Sequence, residues 1–256
     1  MKITILGAGA FGTALGKILV NNDCTVDYYD PYKKRENLAK KISDKDYIVL
    51  CVPSKAVPFL VPHLPKDIPL IVATKGILSN RIFTSFNDYM ILSGPGFADD
   101  IKIGKNTELT VTDKRLMELF KTDNLFFDYT EDKNGVLMCG ALKNVYAIQA
   151  GLLGLVRNSK EWNQYINAVC EEMKKTLARN YSNPDTVDLV CGIGDLKLTC
   201  GYPSRNYEYG DKLRLDPDYQ PEKTVEGLST IKRIIHHEIK VPEEAIILGS
   251  LVKRFK

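Results

Sequence analysis

Residues 2–20 read "KITILGAGAFGTALGKILV". Five strand-forming residues run into Gly7-Ala8-Gly9-Ala10-Phe11-Gly12, and an apolar pattern of helical period follows. This is G-x-G-x-x-G in the context that gives it meaning, directly after a strand and opening a helix. Gly7 permits the tight turn, Gly9 lets a pyrophosphate approach the backbone, and Gly12 lets helix and strand pack closely. The helix start adds free N–H groups and partial positive charge. The stretch predicts the first βαβ unit of a dinucleotide-binding fold. Lys17 interrupts the apolar run, and the glycines argue against a signal peptide.

The second strand ends in Asp30, 18 residues past Gly12. An acid there accepts hydrogen bonds from ribose hydroxyls and repels a ribose phosphate, which favours NAD over NADP. Asp27 competes for that role, and a solvated Asp30 starting a turn at Pro31 is the structural alternative.

Further along, "TVDYYD" (25–30), "DYIVLCV" (46–52), "PLIVAT" (69–74), "YMILS" (89–93), "ELTVT" (108–112) and "LFFDY" (125–129) read as strands, rich in β-branched and aromatic residues. Candidate helices or turns lie between them at 31–41, 54–62, 79–87, 97–102 and 114–121, although Pro58 argues against a regular helix in the second. The alternation predicts a doubly wound, mostly parallel sheet. The strand signal stops at Tyr129, and "TEDKNG" (130–135) is polar. Helical patterns follow at 132–156, 160–180, 184–191, 204–213, 222–237 and 242–254. The expected architecture is α/β: a Rossmann domain over 1–130, then an all-helical domain over 131–256.

Composition narrows the function classes. A 256-residue chain with 44% hydrophobic and 26% charged residues is ordinary for a soluble globular protein. A net charge of +3 is too mild to argue for nucleic acid. No apolar run reaches membrane-spanning length. Six cysteines without C-x-x-C or zinc spacing suggest reduced thiols in the cytoplasm. The adjacent pair His236-His237 cannot aim both rings from one helix face, so no metal site is expected.

"GALKNVYAIQAG" (140–151) poses a charge problem. The surrounding helix is apolar all round, which normally means burial. Yet Lys143 and Asn144 sit in its middle, and no carboxylate stands at the helical neighbour positions of Lys143. A buried, unpaired ammonium is costly, so a distant acid must meet it. Lys75, after the "LIVAT" strand, and Gly94 and Gly96 of "SGPGFA" stand at strand ends, where open α/β sheets form their ligand crevice. In "CGIGDLKLTCGYPSRNYEYG" (191–210), Asp195 lies in a glycine-flanked loop and Ser204 is a good helix cap. Arg205 and Asn206 then occupy a first turn, where a phosphate could be held.

GxGxxG, "ATKG" (73–76), "SGPGFA" (93–98), "ALKN" (141–144), "GIGDLKLTC" (192–200), "SRN" (204–206) and "TVEG" (224–227) occur in that order. The series, spanning essentially the whole chain, resembles the NAD(P)-dependent sn-glycerol-3-phosphate dehydrogenases of the bacterial biosynthetic type. The resemblance implies an enzyme that interconverts dihydroxyacetone phosphate and sn-glycerol 3-phosphate for glycerophospholipid synthesis. Lys143 then matches the catalytic lysine, Asn144 and Lys75 the residues around the carbonyl, and Asp195 and Thr199 the polar partners of the lysine and substrate hydroxyl. Ser204, Arg205 and Asn206 match the phosphate anchor, with Arg205 also facing the cofactor. Ala10, Phe11, Ala98, Thr224 and Glu226 match cofactor contacts. A small phosphorylated triose is the implied partner, with no nucleic acid or membrane insertion and with a homodimer possible. The segment between the second and third strands and the tail are shorter than the family pattern, and "VRNSKEWNQYIN" (156–167) does not follow it. The runner-up enzyme is a ketopantoate-reductase or β-hydroxyacid type of dehydrogenase, which lacks the "GDLKLTC…SRN" series. The alternative from another class is a catalytically silent NAD-binding regulator.

Overall fold

In the computed structural model, residues 1–30, 37–96 and 98–255 are described. The start of the helix expected at 31–41, the turn at Pro31 and Phe97 of "SGPGFA" lie outside them. The described chain separates into two compact units, one of residues 1–75 and 80–133, the other of 76–79 and 134–256.

The first unit holds seven described strands: β1 (Lys2–Leu6), β2 (Thr25–Tyr29), β3 (Tyr47–Leu50), β4 (Leu70–Val72), β5 (Tyr89–Ser93), β6 (Thr107–Val111) and β7 (Leu125–Tyr129). They form one sheet in the order β2-β1-β3-β4-β5-β6-β7. All neighbours run parallel except β5 and β6, so the sheet is mostly parallel as the alternation implied. Apolar residues on both faces make this possible. Ile3, Ile5, Ile48, Val49, Leu50, Leu70, Ile71 and Val72 are all fully buried, as in a parallel sheet covered on both sides. The helices of this unit are α1 (Ala10–Asn21), α2 (Leu38–Ile42), α3 (Val57–Leu60), α4 (Ala98–Lys102) and α5 (Arg115–Leu119). Leu15, Ile18 and Leu19 of α1 join Leu116 and Leu119 of α5 in the core against the sheet. The segment 54–63 divides into short helical turns, Ser54–Ala56, Val57–Leu60 and Val61–His63. Pro58 and Pro62 each remove a backbone donor, which prevents one continuous helix there.

The second unit is helical, with α6 (Lys133–Leu152), α7 (Lys160–Arg179), α8 (Asp195–Thr199), α9 (Arg205–Leu215), α10 (Glu226–Ile235) and α11 (Ile246–Arg254). Helix α6 is buried on every side from Gly135 to Ile148, as its apolar residues on all faces require, and Lys143 and Asn144 are buried with them. It crosses α9 at two glycines. A Cβ on Gly151 would overlap the Tyr207 carbonyl, and one on Gly210 would overlap that of Ile148. Helix α7 is amphipathic, and the Ser159 hydroxyl caps it by accepting from the Trp162 N–H at 3.1 Å. Its buried Glu172 accepts from the N–H groups of Ile247 (2.8 Å) and Leu248 (2.7 Å) and from the Tyr146 hydroxyl (3.1 Å). Helix α11 has no side-chain cap of its own at Ala245, so a carboxylate from α7 satisfies its first turn. No helix among the described residues is long and apolar enough to cross a membrane.

Candidate active site

In the first unit, parallel pairing places the ends of β1 to β5 at one sheet edge, where the connecting turns gather. Gly7 takes φ +105°, and a Cβ there would overlap the Cys51 carbonyl oxygen. Its N–H donates to the Tyr29 carbonyl (2.9 Å), and the Ala8 N–H donates to Asp30 Oδ2 (3.3 Å). The turn is thereby tied to the end of β2. Helix α1 starts without a side-chain cap at Gly9 and without an acid in its first turn. A Cβ on Gly9 would meet nothing within 4 Å, whereas one on Gly12 would overlap the Gly7 carbonyl. One glycine is therefore needed for helix–strand packing and the other leaves room above the helix start. Open space over uncapped N–H groups fits a dinucleotide's pyrophosphate.

Asp27 and Asp30 separate by environment. Asp27 forms an ion pair with Lys45 at 2.5 Å. The hydrogen bond from Lys45 holds its carboxyl below the usual range, against an opposing desolvation. Asp30 instead bonds into the glycine turn. Lys75 donates to the Gly94 carbonyl at 3.0 Å, with its ammonium 5.6 Å from the centre of the Phe11 ring. Lys75, Phe11 and Gly94 thus share this edge. Gly96 packs against Leu109 and Thr107 of β6, so its missing side chain serves packing. Ala98 opens α4.

In the second unit, the acid that meets Lys143 is Asp195. Their side chains form an ion pair, and the two residues are 3% and 1% exposed. Lys143 comes from the middle of α6. Asp195 follows a single π-type turn, Val190–Gly194, and begins α8. Thr199, one turn later, donates its hydroxyl to the Asp195 carbonyl at 2.6 Å and lies 3.5 Å from Oδ1. Burial raises the electrostatic attraction of the pair and also the cost of separating it.

A chain of amides lies beside the pair. The Gly227 N–H donates to Asn206 Oδ1 at 2.9 Å, Asn206 Nδ2 donates to Asn144 Oδ1 at 3.0 Å, and Asn144 Nδ2 donates to the Gly140 carbonyl at 3.3 Å. It joins the "ALKN", "SRN" and "TVEG" motifs. A Cβ on Gly227 would lie 2.7 Å from the Asn144 carbonyl and 3.0 Å from Asn206 Oδ1, so that position has no room for a side chain. Ser204 is the N-cap residue of α9 by backbone position, but its hydroxyl makes no capping bond. The first-turn N–H groups are therefore not closed off by that side chain. Arg205 is exposed at the same helix start, Thr224 is exposed before α10, and half-buried Glu226 opens α10.

Sequence reasoning missed Arg157, Trp162, Glu172 and Gly227. A lone tryptophan inside a helical pattern signals a buried indole N–H that needs an acceptor. Nothing near Arg157 or Glu172 in sequence names their partners. Among the described residues no group of three or more His, Cys, Asp or Glu side chains could hold a metal ion.

The family pattern described as the C-terminus of NAD-dependent glycerol-3-phosphate dehydrogenase matches residues 132–250. A glycerol-3-phosphate dehydrogenase [NAD(P)+] of Leptospira biflexa is 32% identical, over 83% of this chain and 79% of its own length. The chain belongs to this family. It is an oxidoreductase of the NAD(P)-dependent glycerol-3-phosphate dehydrogenases. A second relative of that description, from Ruegeria sp., is 31% identical over 91% of this chain and 86% of its own length. In three dimensions the chain is similar to a glycerol-3-phosphate dehydrogenase of Plasmodium falciparum. The TM-score is 0.84 at 19% identity, covering 99% of this chain and 91% of the other, which speaks for the fold.

Proposed function

We propose that the protein reduces dihydroxyacetone phosphate to sn-glycerol 3-phosphate, reversibly, with NADH preferred over NADPH. Residues 1–130 act as the cofactor domain and 131–256 as the substrate and catalytic domain. The observation that carries the reading is the buried contact between Lys143 and Asp195. A lysine so placed is a positioned proton donor, held in place by its carboxylate partner.

Bound NADH supplies the hydride for the carbonyl carbon. Lys143 gives its ammonium proton to the carbonyl oxygen and takes it back in the oxidation. Asp195 holds the ammonium in place, and Thr199 stands one turn away beside the substrate hydroxyl. Asn144, its amide oriented by Asn206, hydrogen-bonds at the reacting centre. Arg205, Asn206 and the first-turn N–H groups of α9 take the phosphate, where a dianion gains charge-assisted bonds. Lys75 places a positive charge at the strand edge where the fold takes its dinucleotide. The ribose hydroxyls fall to Asp30, because Asp27 is committed to Lys45. Six free thiols accord with a cytoplasmic enzyme. The "GDLKLTC…SRN" series favours this substrate over those of ketopantoate-type dehydrogenases.

The test is NADH oxidation with dihydroxyacetone phosphate, comparing wild type with Arg205→Ala and NADH with NADPH. Hydrogen bonds to charged partners contribute about 1.5–3 kcal/mol each. Arg205→Ala should therefore lower kcat/KM roughly ten- to several-hundred-fold. Arg205→Lys should recover part, lacking the planar fork. NADH binding without turnover would sink the reading in favour of a silent NAD-binding regulator. A tenfold or greater preference for NADPH would overturn the role given to Asp30.

A further inference from the structure

The stretch 156–167 grips the loop that leads to the start of α9. Arg157 Nη2 donates to the Leu198 carbonyl at 2.8 Å, and Trp162 Nε1 donates to the Cys200 carbonyl at 2.6 Å. These carbonyls stand on either side of Thr199. A Cβ on Gly201 would lie 2.8 Å from Arg157 Nε and 3.0 Å from Nη2, so the loop backbone packs directly on the guanidinium. From the far side, the Tyr207 hydroxyl donates to the Leu155 carbonyl at 2.6 Å. Trp162 is 3% exposed and Cys200 fully buried. The indole sits in the capped first turn of α7, which fixes its direction.

We propose that Arg157 and Trp162 are positioning residues for the substrate phosphate. They set the height of the backbone that runs from Leu198 to Ser204 and so aim the first turn of α9. Neither side chain needs to touch the substrate. Two donors on alternate carbonyls fix both position and tilt of the loop, which a single bond cannot do. A displacement of about 1 Å in a positioning element can cost up to ~10²-fold in rate. The inference rests on the phosphate being held at Ser204–Asn206.

Five proteins decide it: wild type, Trp162→Phe, Arg157→Ala, Arg157→Lys and Arg205→Ala. Each is assayed with dihydroxyacetone phosphate and with unphosphorylated dihydroxyacetone, alongside NADH binding and thermal unfolding. Trp162→Phe keeps an aromatic ring but removes the donor and part of the buried bulk, and thermal unfolding reports the packing part. It and Arg157→Ala should each raise KM for dihydroxyacetone phosphate about tenfold. Their kcat, NADH affinity and use of dihydroxyacetone should change little. Arg157→Lys should recover part of the loss, since an ammonium still reaches Leu198 but lacks the flat face against Gly201. Trp162 is the chain's only tryptophan, so its fluorescence should respond to dihydroxyacetone phosphate in wild type and lose that response in Arg157→Ala. Equal losses on both substrates would mean that the two residues merely hold the fold, and the proposal fails. If Arg205→Ala shows the phosphate-selective loss and the other variants do not, the proposal fails while the phosphate site stands. If Arg205→Ala loses both substrates alike, the phosphate site falls and takes the proposal with it.

Discussion

Lys143 and Asp195 are each a liability alone and a matched buried pair together. Removing either partner leaves a charge in a site with almost no access to water, a loss of about 3–5 kcal/mol for buried pairs. The informative substitutions therefore keep shape. Lys143→Met keeps the aliphatic stem and should lower kcat by at least the ~10²–10⁴-fold typical of general acid catalysis while NADH is still bound. Asp195→Asn removes the charge but keeps the volume. In glycerol 3-phosphate oxidation the lysine must be a neutral amine to accept the proton, so the rate rises with pH. Without the carboxylate the ammonium loses its partner and its fixed position, so kcat should fall in both directions. Steady-state assays of wild type and Asp195→Asn check this, and an unchanged kcat would refute the arrangement.

At the scale of elements, α6, α7 and α11 are joined through Glu172. Burial first, and the negative charge of Glu172 second, hold the Tyr146 phenol well above its usual range, so it stays a donor. Glu172→Gln offers one acceptor oxygen where two backbone N–H groups and a phenol now converge. At least one donor is orphaned, at about 1–3 kcal/mol. The midpoint of denaturant unfolding should fall with unchanged slope. An unchanged midpoint would mean that α11 docks without this carboxylate. The strands and long helices of the chain were legible because period 2 and period 3.6 patterns report which faces are buried. Glu172 was not, because a single acid in a charged, amphipathic helix looks like any solvated residue until its neighbours are known.

At the scale of the whole molecule, burial quiets three of the six thiols. Burial pushes the Cys51 thiol up to about 12, against the opposing charge of Lys75, and the Cys170 thiol to about 11. Burial also raises the Cys200 thiol, with the positive charge of Lys143 working the other way. At neutral pH such groups are thiolate to the extent of about one part in ten thousand or less. Iodoacetamide at pH 7 should leave activity intact and these three positions unlabelled by mass spectrometry. Rapid labelling of Cys51 with loss of NADH binding would contradict this environment.

The sequence by itself determined the βαβ alternation, the glycine turn on β1, the helical second half and the burial of a lysine in its first helix. Each is a local pattern, carried by residues a few positions apart. It also required that some acid meet Lys143, because the α6 helix offers none. Only the tertiary structure decided that the acid is Asp195, that Asp27 belongs to Lys45, and that Asn206 links Asn144 to Gly227. It alone showed that Arg157 and Trp162 hold the loop from Leu198 to Ser204. Hydrogen bonds and ion pairs between distant segments leave no period in the chain. Their geometry exists only once hydrophobic burial has brought the helices together and the polar groups left inside must find one another.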